Sequence, residues 1–389
     1  MMTKKGLSRT SEIYGSRSAK VQALQAEGKK AVGYLCLYPP IEMLTAFDIV
    51  PYRMFGDMKD PITKADNYLP TVVCPFLRSL LDMGLKGKYR FLDGVVMAHT
   101  CDVGSQLPTL WNNFVKTPYS YFIDTPHTTT EIAREQEKRE LQDFQKSLES
   151  FTGKKLDARG LREAIKAHNR QRALVRELYD LRKPNPPLIS GTETLQVLVA
   201  VMSLPVAEGN QLLKEVIDEI KVRKNGPTKK SARLLVWGPV IHETPLIEMI
   251  ESLDANVVMD DTCVGSRAYF DDVKLTEDLL EGLAYHYLID INCPRTFRES
   301  EHGKTVRDQA TDLENRFGYL GKFAREWKVD GVILQSVRYC DSHGYEVPAI
   351  KDYLTQIGLP SLYLEHNNTA GALAPLKTRV QGFLEIIGQ

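Results

Sequence analysis

The stretch GVILQSVRYCDSHGYE, residues 331–346, decides how this chain reads. It opens on a glycine and a short apolar run with two β-branched residues, Val332 and Ile333, the pattern of a strand buried on both faces. Ser336 to Asp341 come where such a strand would end, and helical sequence is expected to resume near Pro348. In open parallel sheets, ligands collect outside the carboxyl ends of the strands. A cysteine delivered there, Cys340, followed by an aspartate able to cap a helix, is well placed to hold a metal as thiolate.

Working outward, residues 233–237, 256–259 and 361–365 read as further strands. Segments 242–253, 276–287, 305–327 and 373–387 read as helices, so 231–389 forms one α/β lobe. The same alternation fills residues 1–125: strands over 31–37, 50–55, 91–97 and 119–123, with helices over 40–47, 75–81 and 103–114. The first thirty residues are polar and read as a loose arm or a surface helix. Between the lobes, 126–230 is charged and periodic in the manner of amphipathic helices. Pro184, Pro186 and Pro187 interrupt it and Asn225-Gly226-Pro227 closes it, giving a helical insert. The fold class is α/β: two lobes with parallel sheets and a helical insert between them.

At 389 residues, the chain is long enough for two or three domains. Lys plus Arg and Asp plus Glu balance at 50 each, which argues against nucleic acid or an anionic membrane as the main partner. The N-terminus lacks the apolar core of a signal peptide, and no apolar run approaches a membrane span, so a cytoplasmic location is expected. Six cysteines in so long a chain are no disulfide framework; buried thiols, ligands or nucleophiles are the alternatives.

Cys74, Cys101 and Cys340 each fall at an expected strand end or helix start. Those positions stabilise thiolates and can converge in space, and three soft thiolates suit zinc or an iron–sulfur cluster. Read from position alone, the commoner state of a lone cysteine is a small buried hydrophobe, and both readings stay open.

GYLCLYPPIEMLTAFDIVPYRMFG (33–56), VVCPFLRS (72–79), HTCDVG (99–104), DDTCVGSRAYF (260–270) and the opening stretch together resemble the benzoyl-CoA reductase/2-hydroxyacyl-CoA dehydratase family. The resemblance runs from about residue 33 to 384. It implies two Rossmann-like lobes gripping a [4Fe-4S] cluster, with Cys74, Cys101 and Cys340 matching the cluster ligands. Three protein ligands leave one iron open to water, hydroxide or a substrate oxygen. Family chemistry acts on acyl-CoA thioesters through single electrons of very low potential and ketyl-type radicals. Those electrons are energised by ATP in partner subunits. This chain has no GxxxxGK[ST]; its nearest fragment, Gly303-Lys304-Thr305, lacks the upstream glycine.

Chain length and motif order look closest to the smaller cluster-bearing subunit of an ATP-dependent benzoyl-CoA reductase. The implied partners are a larger homologous cluster-bearing subunit, two ATPase-type subunits, reduced ferredoxin and an acyl-CoA. The alternatives are a 2-hydroxyacyl-CoA dehydratase subunit and, further off, a non-catalytic bilobal binding protein. A mostly apolar set near the expected cluster (Tyr34, Leu35, Leu37, Tyr38, Pro39, Phe76 and Tyr339) leans towards ring reduction, which needs a dry slot.

Within the resemblance, Cys36 and Glu42 lie on the loop expected to approach the open side of the cluster: Cys36 as a wall residue, Glu42 as a proton relay or a carboxylate supporting a helix start. Cys263 is expected in a structural or channel role and Cys293 in the core. Arg267 and Arg338 are candidates for CoA phosphates or for ion pairs with Asp260, Asp261 or Asp341. His99 and His343 flank ligand cysteines and read as hydrogen-bond donors to them.

Overall fold

A computed structural model describes residues 5–298, 309–367 and 369–388. The fragment Gly303-Lys304-Thr305, and the first residues of the helix expected over 305–327, lie outside the described residues. In chain order the first lobe holds α1 (Gly6–Gly15), α2 (Arg17–Ala26), β1 (Lys30–Leu35), α3 (Ile41–Ala46), β2 (Ile49–Arg53), α4 (Pro75–Leu85), β3 (Gly94–Ala98), α5 (Asp102–Leu110) and β4 (Tyr119–Ile123). Four helices follow: α6 (Glu131–Thr152), α7 (Ala158–Asp180), α8 (Gly191–Val201) and α9 (Val206–Val222). The second lobe holds β5 (Ala232–Trp237), α10 (Pro245–Glu251), β6 (Ala255–Asp261), α11 (Leu279–Tyr285), α12 (Gln309–Glu326), β7 (Gly331–Val337), α13 (Asp341–Gln356), β8 (Ser361–His366) and α14 (Leu373–Ile387).

The first sheet runs β2-β1-β3-β4 and the second β6-β5-β7-β8, every pairing parallel, so both lobes share one strand order. The central strands β1, β3, β5 and β7 are buried along their length except at Lys30. Burial on both faces is why they read as continuous apolar runs rather than alternating ones. From β1 the chain crosses to β2 on one side and then to β3 on the other, which makes the β1/β3 crevice a switch point where ligands bind; β5/β7 repeats it.

Three local readings change. The helix after β7 begins at Asp341, not near Pro348: the Cys340 carbonyl accepts from Gly344 N at 2.9 Å, so Cys340 itself is the cap and Asp341 the first helical residue. Pro348 sits inside that helix and removes only its own N–H from the ladder. The helix expected over 103–114 runs from Asp102 to Leu110 with Pro108 inside it and continues as a wider π-type turn, Trp111–Val115. The polar N-terminal arm is two helices rather than a loose tail. Carboxylates of α9 receive its first amides, Gly6 N to Glu215 at 3.4 Å and Leu7 N to Glu219 at 3.0 Å, satisfying donors that a helix start leaves free.

The inserted helices touch both lobes. Helix α6 packs along β4 and α11, α7 lies against α3 and α9, and α8 lies against β6 and α10. Among the described residues no helix is long and apolar enough to cross a membrane.

Candidate functional site

Three helices of this fold start at a cysteine. Cys74, Cys101 and Cys340 are the residues immediately before α4, α5 and α13. The free N–H groups and dipole of a helix start favour negative charge on a sulfur placed there. Pro75 occupies the first position of α4, where a missing N–H is harmless. The Cys101 sulfur already accepts from Gly104 N at 3.4 Å.

Both switch points open onto one cavity of about 110 Å³, and all six cysteines line it. Leu35 and Cys36 reach it from the end of β1, Thr100 and Cys101 from beyond β3, Pro239 and Val240 from beyond β5, and Val337, Tyr339 and Cys340 from β7. Phe76, Leu77 and Val103 add apolar wall. Of the apolar set expected here, Leu35, Phe76 and Tyr339 line the cavity; Tyr34, Leu37, Tyr38 and Pro39 are buried off its lining. Cys36 (φ 68°) and Tyr339 (φ 61°) hold left-handed backbone, a conformation that costs a non-glycine residue roughly 1–3 kcal/mol and gathers at functional sites.

The thiols form two electrostatic groupings. Cys74 and Cys101 act on Cys340, Cys263 and Cys293 act on Cys36, and Cys263 also acts on Cys340, so the two groupings meet at Cys263. Burial pushes Cys74 up to about 11, and the Cys101 thiol adds to the shift. Burial pushes Cys36 up to about 12, with Cys263 and Cys293 adding to it. Burial likewise raises Cys101, and burial together with Cys74 raises Cys340 far above the ordinary thiol value. Unaided, Cys74, Cys101 and Cys340 are neutral at pH 7; a bound cationic metal centre would reverse that balance. Among the described residues no three His, Cys, Asp or Glu side chains converge closely enough to hold one metal ion. Three sulfurs spread around a cavity of this size fit a multi-atom, sulfur-rich group better than a single ion.

His343 is tied to the site on both ring nitrogens. Arg267 Nη1 lies 3.2 Å from Nε2, and Cys340 Sγ lies 3.5 Å from Nδ1. A guanidinium only donates, so Nε2 accepts and the proton sits on Nδ1, facing the sulfur. Burial and then Arg267 hold this imidazole well below the usual histidine range, so it stays neutral. Arg267 itself pairs with Asp261 at 2.9 Å and reaches Cys263 Sγ at 3.5 Å. It is fully engaged by protein, and Arg338 pairs with Glu365 at 3.1 Å near the surface. His99 pairs through Nδ1 with Asp124 at 2.7 Å and does not line the cavity.

Glu42 also lies off the cavity lining. It is 0% exposed, accepts from Arg172 Nη2 at 2.6 Å and from the Tyr287 hydroxyl at 2.7 Å, and so ties α3 to α7 and to the segment after α11. Burial alone would raise its pKa, but Arg172, His168, His286 and Tyr287 outweigh that and hold it near 2. Cys263, expected in a structural or channel role, and Cys293, expected in the core, both line the cavity.

Two arginines were not singled out by the sequence. Arg295 lines the cavity and donates to the carbonyls of His99, Thr125 and Pro126, clamping the second lobe to the loops after β3 and β4. Arg53, the last residue of β2, also lines it. Arg53 lies inside the PYRMFG run, where a cation ending an apolar strand was the available signal.

A family model described as "2-hydroxyglutaryl-CoA dehydratase, D-component" matches residues 36–387. The chain is 24% identical over 363 residues to a subunit of the benzoyl-CoA reductase of Thauera aromatica, covering 92% of this chain and 91% of that one. It is also 24% identical over 369 residues to the (R)-phenyllactyl-CoA dehydratase beta subunit of Clostridium sporogenes, covering 94% and 93%. The same identity, over 383 residues and 96% and 97% of the chains, relates it to the (R)-2-hydroxyglutaryl-CoA dehydratase subunit beta of Acidaminococcus fermentans. With its two like-ordered parallel sheets and a match spanning nearly its whole length, this chain belongs to the 2-hydroxyglutaryl-CoA dehydratase D-component family.

Proposed function

We propose that this chain is the iron–sulfur subunit of an ATP-dependent benzoyl-CoA reductase, reducing the ring of benzoyl-CoA to cyclohexadiene-1-carbonyl-CoA. Cys74, Cys101 and Cys340 hold a [4Fe-4S] cluster in this reading. The observation that carries it is the meeting of three cysteines, each at a helix start, in one mostly apolar cavity. When bound, such a cluster supplies single electrons at low potential.

The chain's own residues have defined work around it. The starts of α4, α5 and α13 stabilise the three thiolates, and His343 Nδ1–H donates towards the Cys340 sulfur. Arg267 fixes the tautomer of that imidazole. Leu35, Phe76, Leu77, Val103 and Val240 keep water out, as a ring radical anion requires. With no nucleotide-binding loop in its sequence, the chain relies on partners: a larger homologous subunit, two ATPase-type subunits and reduced ferredoxin, all in the cytoplasm.

The second reading is a 2-hydroxyacyl-CoA dehydratase subunit. Thr100, Ser342 and Arg53 favour it, because they offer polar partners that a departing hydroxyl needs. The complex, assembled anaerobically with ATP and a low-potential donor, separates the two when assayed on benzoyl-CoA and on a 2-hydroxyacyl-CoA. Ring reduction in step with donor oxidation is expected. Water elimination from the hydroxyacyl thioester, with benzoyl-CoA untouched, assigns the chain to the lyases.

A further inference from the structure

Arg53 is 2% exposed and lies against the cavity beside Cys36 and Cys263. Its Nε and Nη1 have no hydrogen-bond partner. The other deep arginines are all engaged: Arg172 with Glu42, Arg182 with Asp260, Arg267 with Asp261, and Arg233 and Arg295 with backbone carbonyls. Among the described residues, Arg53 alone of this set gives no side-chain hydrogen bond and has no carboxylate within ion-pair distance. Two aromatic faces lie near it, with the guanidinium carbon 5.3 Å from the Tyr34 ring centre and 5.8 Å from that of Phe55, and Arg17 donates to the Arg53 carbonyl at 2.6 Å. Such faces attract a cation without accepting its N–H groups in the guanidinium plane.

A buried charge left unpaired is strongly unfavourable, and buried donors with no partner mark a missing ligand or water. Here the unpaired donors belong to a residue of the cavity wall. We infer that Arg53 is the receiving group of a small-oxyanion site on the wall it shares with Cys36, Cys263 and Cys293. A planar guanidinium presents paired N–H donors suited to oxygen-bearing anions. The existence of the site rests on the buried cation alone. Its natural occupant rests on the function proposed above: the thioester oxygen of an acyl-CoA as it gains negative charge, or hydroxide.

The test uses the full chain in its anaerobically purified complex and sodium formate as probe, read by the shift in thermal midpoint against equal sodium chloride. Wild type should show a saturable rise. Arg53→Met should bind formate roughly tenfold or more weakly, the loss expected for one charge-assisted contact. Arg53→Lys, which keeps the charge without the fork, should respond weakly but saturably and serves if the methionine variant does not fold. A wild-type response no greater than that to chloride, or an Arg53→Met response equal to wild type, overturns the site. Benzoyl-CoA that abolishes the formate response identifies the thioester oxygen as occupant; formate binding lost only with rising pH identifies hydroxide. Iron content and ring reduction are measured separately, so failure of the anion site is distinct from failure of the reductase reading.

Discussion

At Cys340 three influences meet: the end of β7, the start of α13 and the imidazole of His343. The helix start, with the His343 backbone N–H, and the imidazole Nδ1–H favour a thiolate, while burial and the Cys74, Cys101 and Cys263 thiols oppose it. In the proposed reading a bound metal centre tips that balance, so removing any one of the three sulfurs should remove it. In the anaerobically purified complex, Cys74→Ala, Cys101→Ala and Cys340→Ala should each lower iron from about four per chain, the content of a [4Fe-4S] centre, to background. Cys293→Ala, from the other thiol grouping, should keep it. Iron and acid-labile sulfide analysis decides the point, and full iron in Cys340→Ala refutes the ligand set. Glu42 shows the opposite kind of residue, a fully buried carboxylate whose partners are all protein.

At the scale of elements, α6 carries an imbalance of its own. Glu137 faces inward from it at 0% exposure, and neither carboxyl oxygen has a hydrogen-bond partner. Burial drives its pKa up to about 8; Arg295 and Thr125 pull it down, and Glu140 and Asp124 push it further up. The folded value lies above the ordinary 4.5, so the folded chain holds this proton more tightly than the unfolded one. The resulting stability is complete below pH 4.5 and is lost as pH rises through about 8, a decline of a few kcal/mol. Glu42, held near 2, acts in the opposite sense and in a separate window, losing stability as pH falls from 4.5 towards 2. Chemical denaturation of wild type and Glu137→Gln between pH 5 and 9 should therefore give a falling difference, with the variant the more stable at the alkaline end. Parallel profiles would mean that Glu137 is ionised in the fold.

Over the whole molecule, two lobes of one strand order close on a single cavity, held together by contacts such as Arg295 to the His99, Thr125 and Pro126 carbonyls and Glu243 to Met58 N at 2.7 Å. The inserted helices touch both lobes, so the cavity walls are braced from the side as well. The sequence, however, has no GxxxxGK[ST] motif, and relatives of the chain are named as subunits. Expressed alone and loaded with iron and sulfide, it should turn over neither benzoyl-CoA nor a 2-hydroxyacyl-CoA with a chemical reductant. Activity should require the ATPase-type partners, and native mass measurement should find the chain in a hetero-oligomer. Turnover by the isolated chain would contradict this assembly.

Local sequence was enough to read the α/β class, the two parallel-sheet lobes, the helices between them and the three cysteines at strand ends or helix starts. These follow from hydrophobic period and punctuation, which act over a few residues. Even locally it misread the start of α13, because Pro348 looked like a beginning while the Cys340 carbonyl had already nucleated the first turn. It took the packed fold to reveal that all six cysteines share a cavity, that Glu42 is tied to Arg172 from 130 residues away, and that Arg53 reaches the wall with its Nε and Nη1 donors unmet. Such pairings have no local period to betray them. Which buried charge finds a partner is settled by how the packed elements bring distant side chains together, and at Arg53 packing brought none.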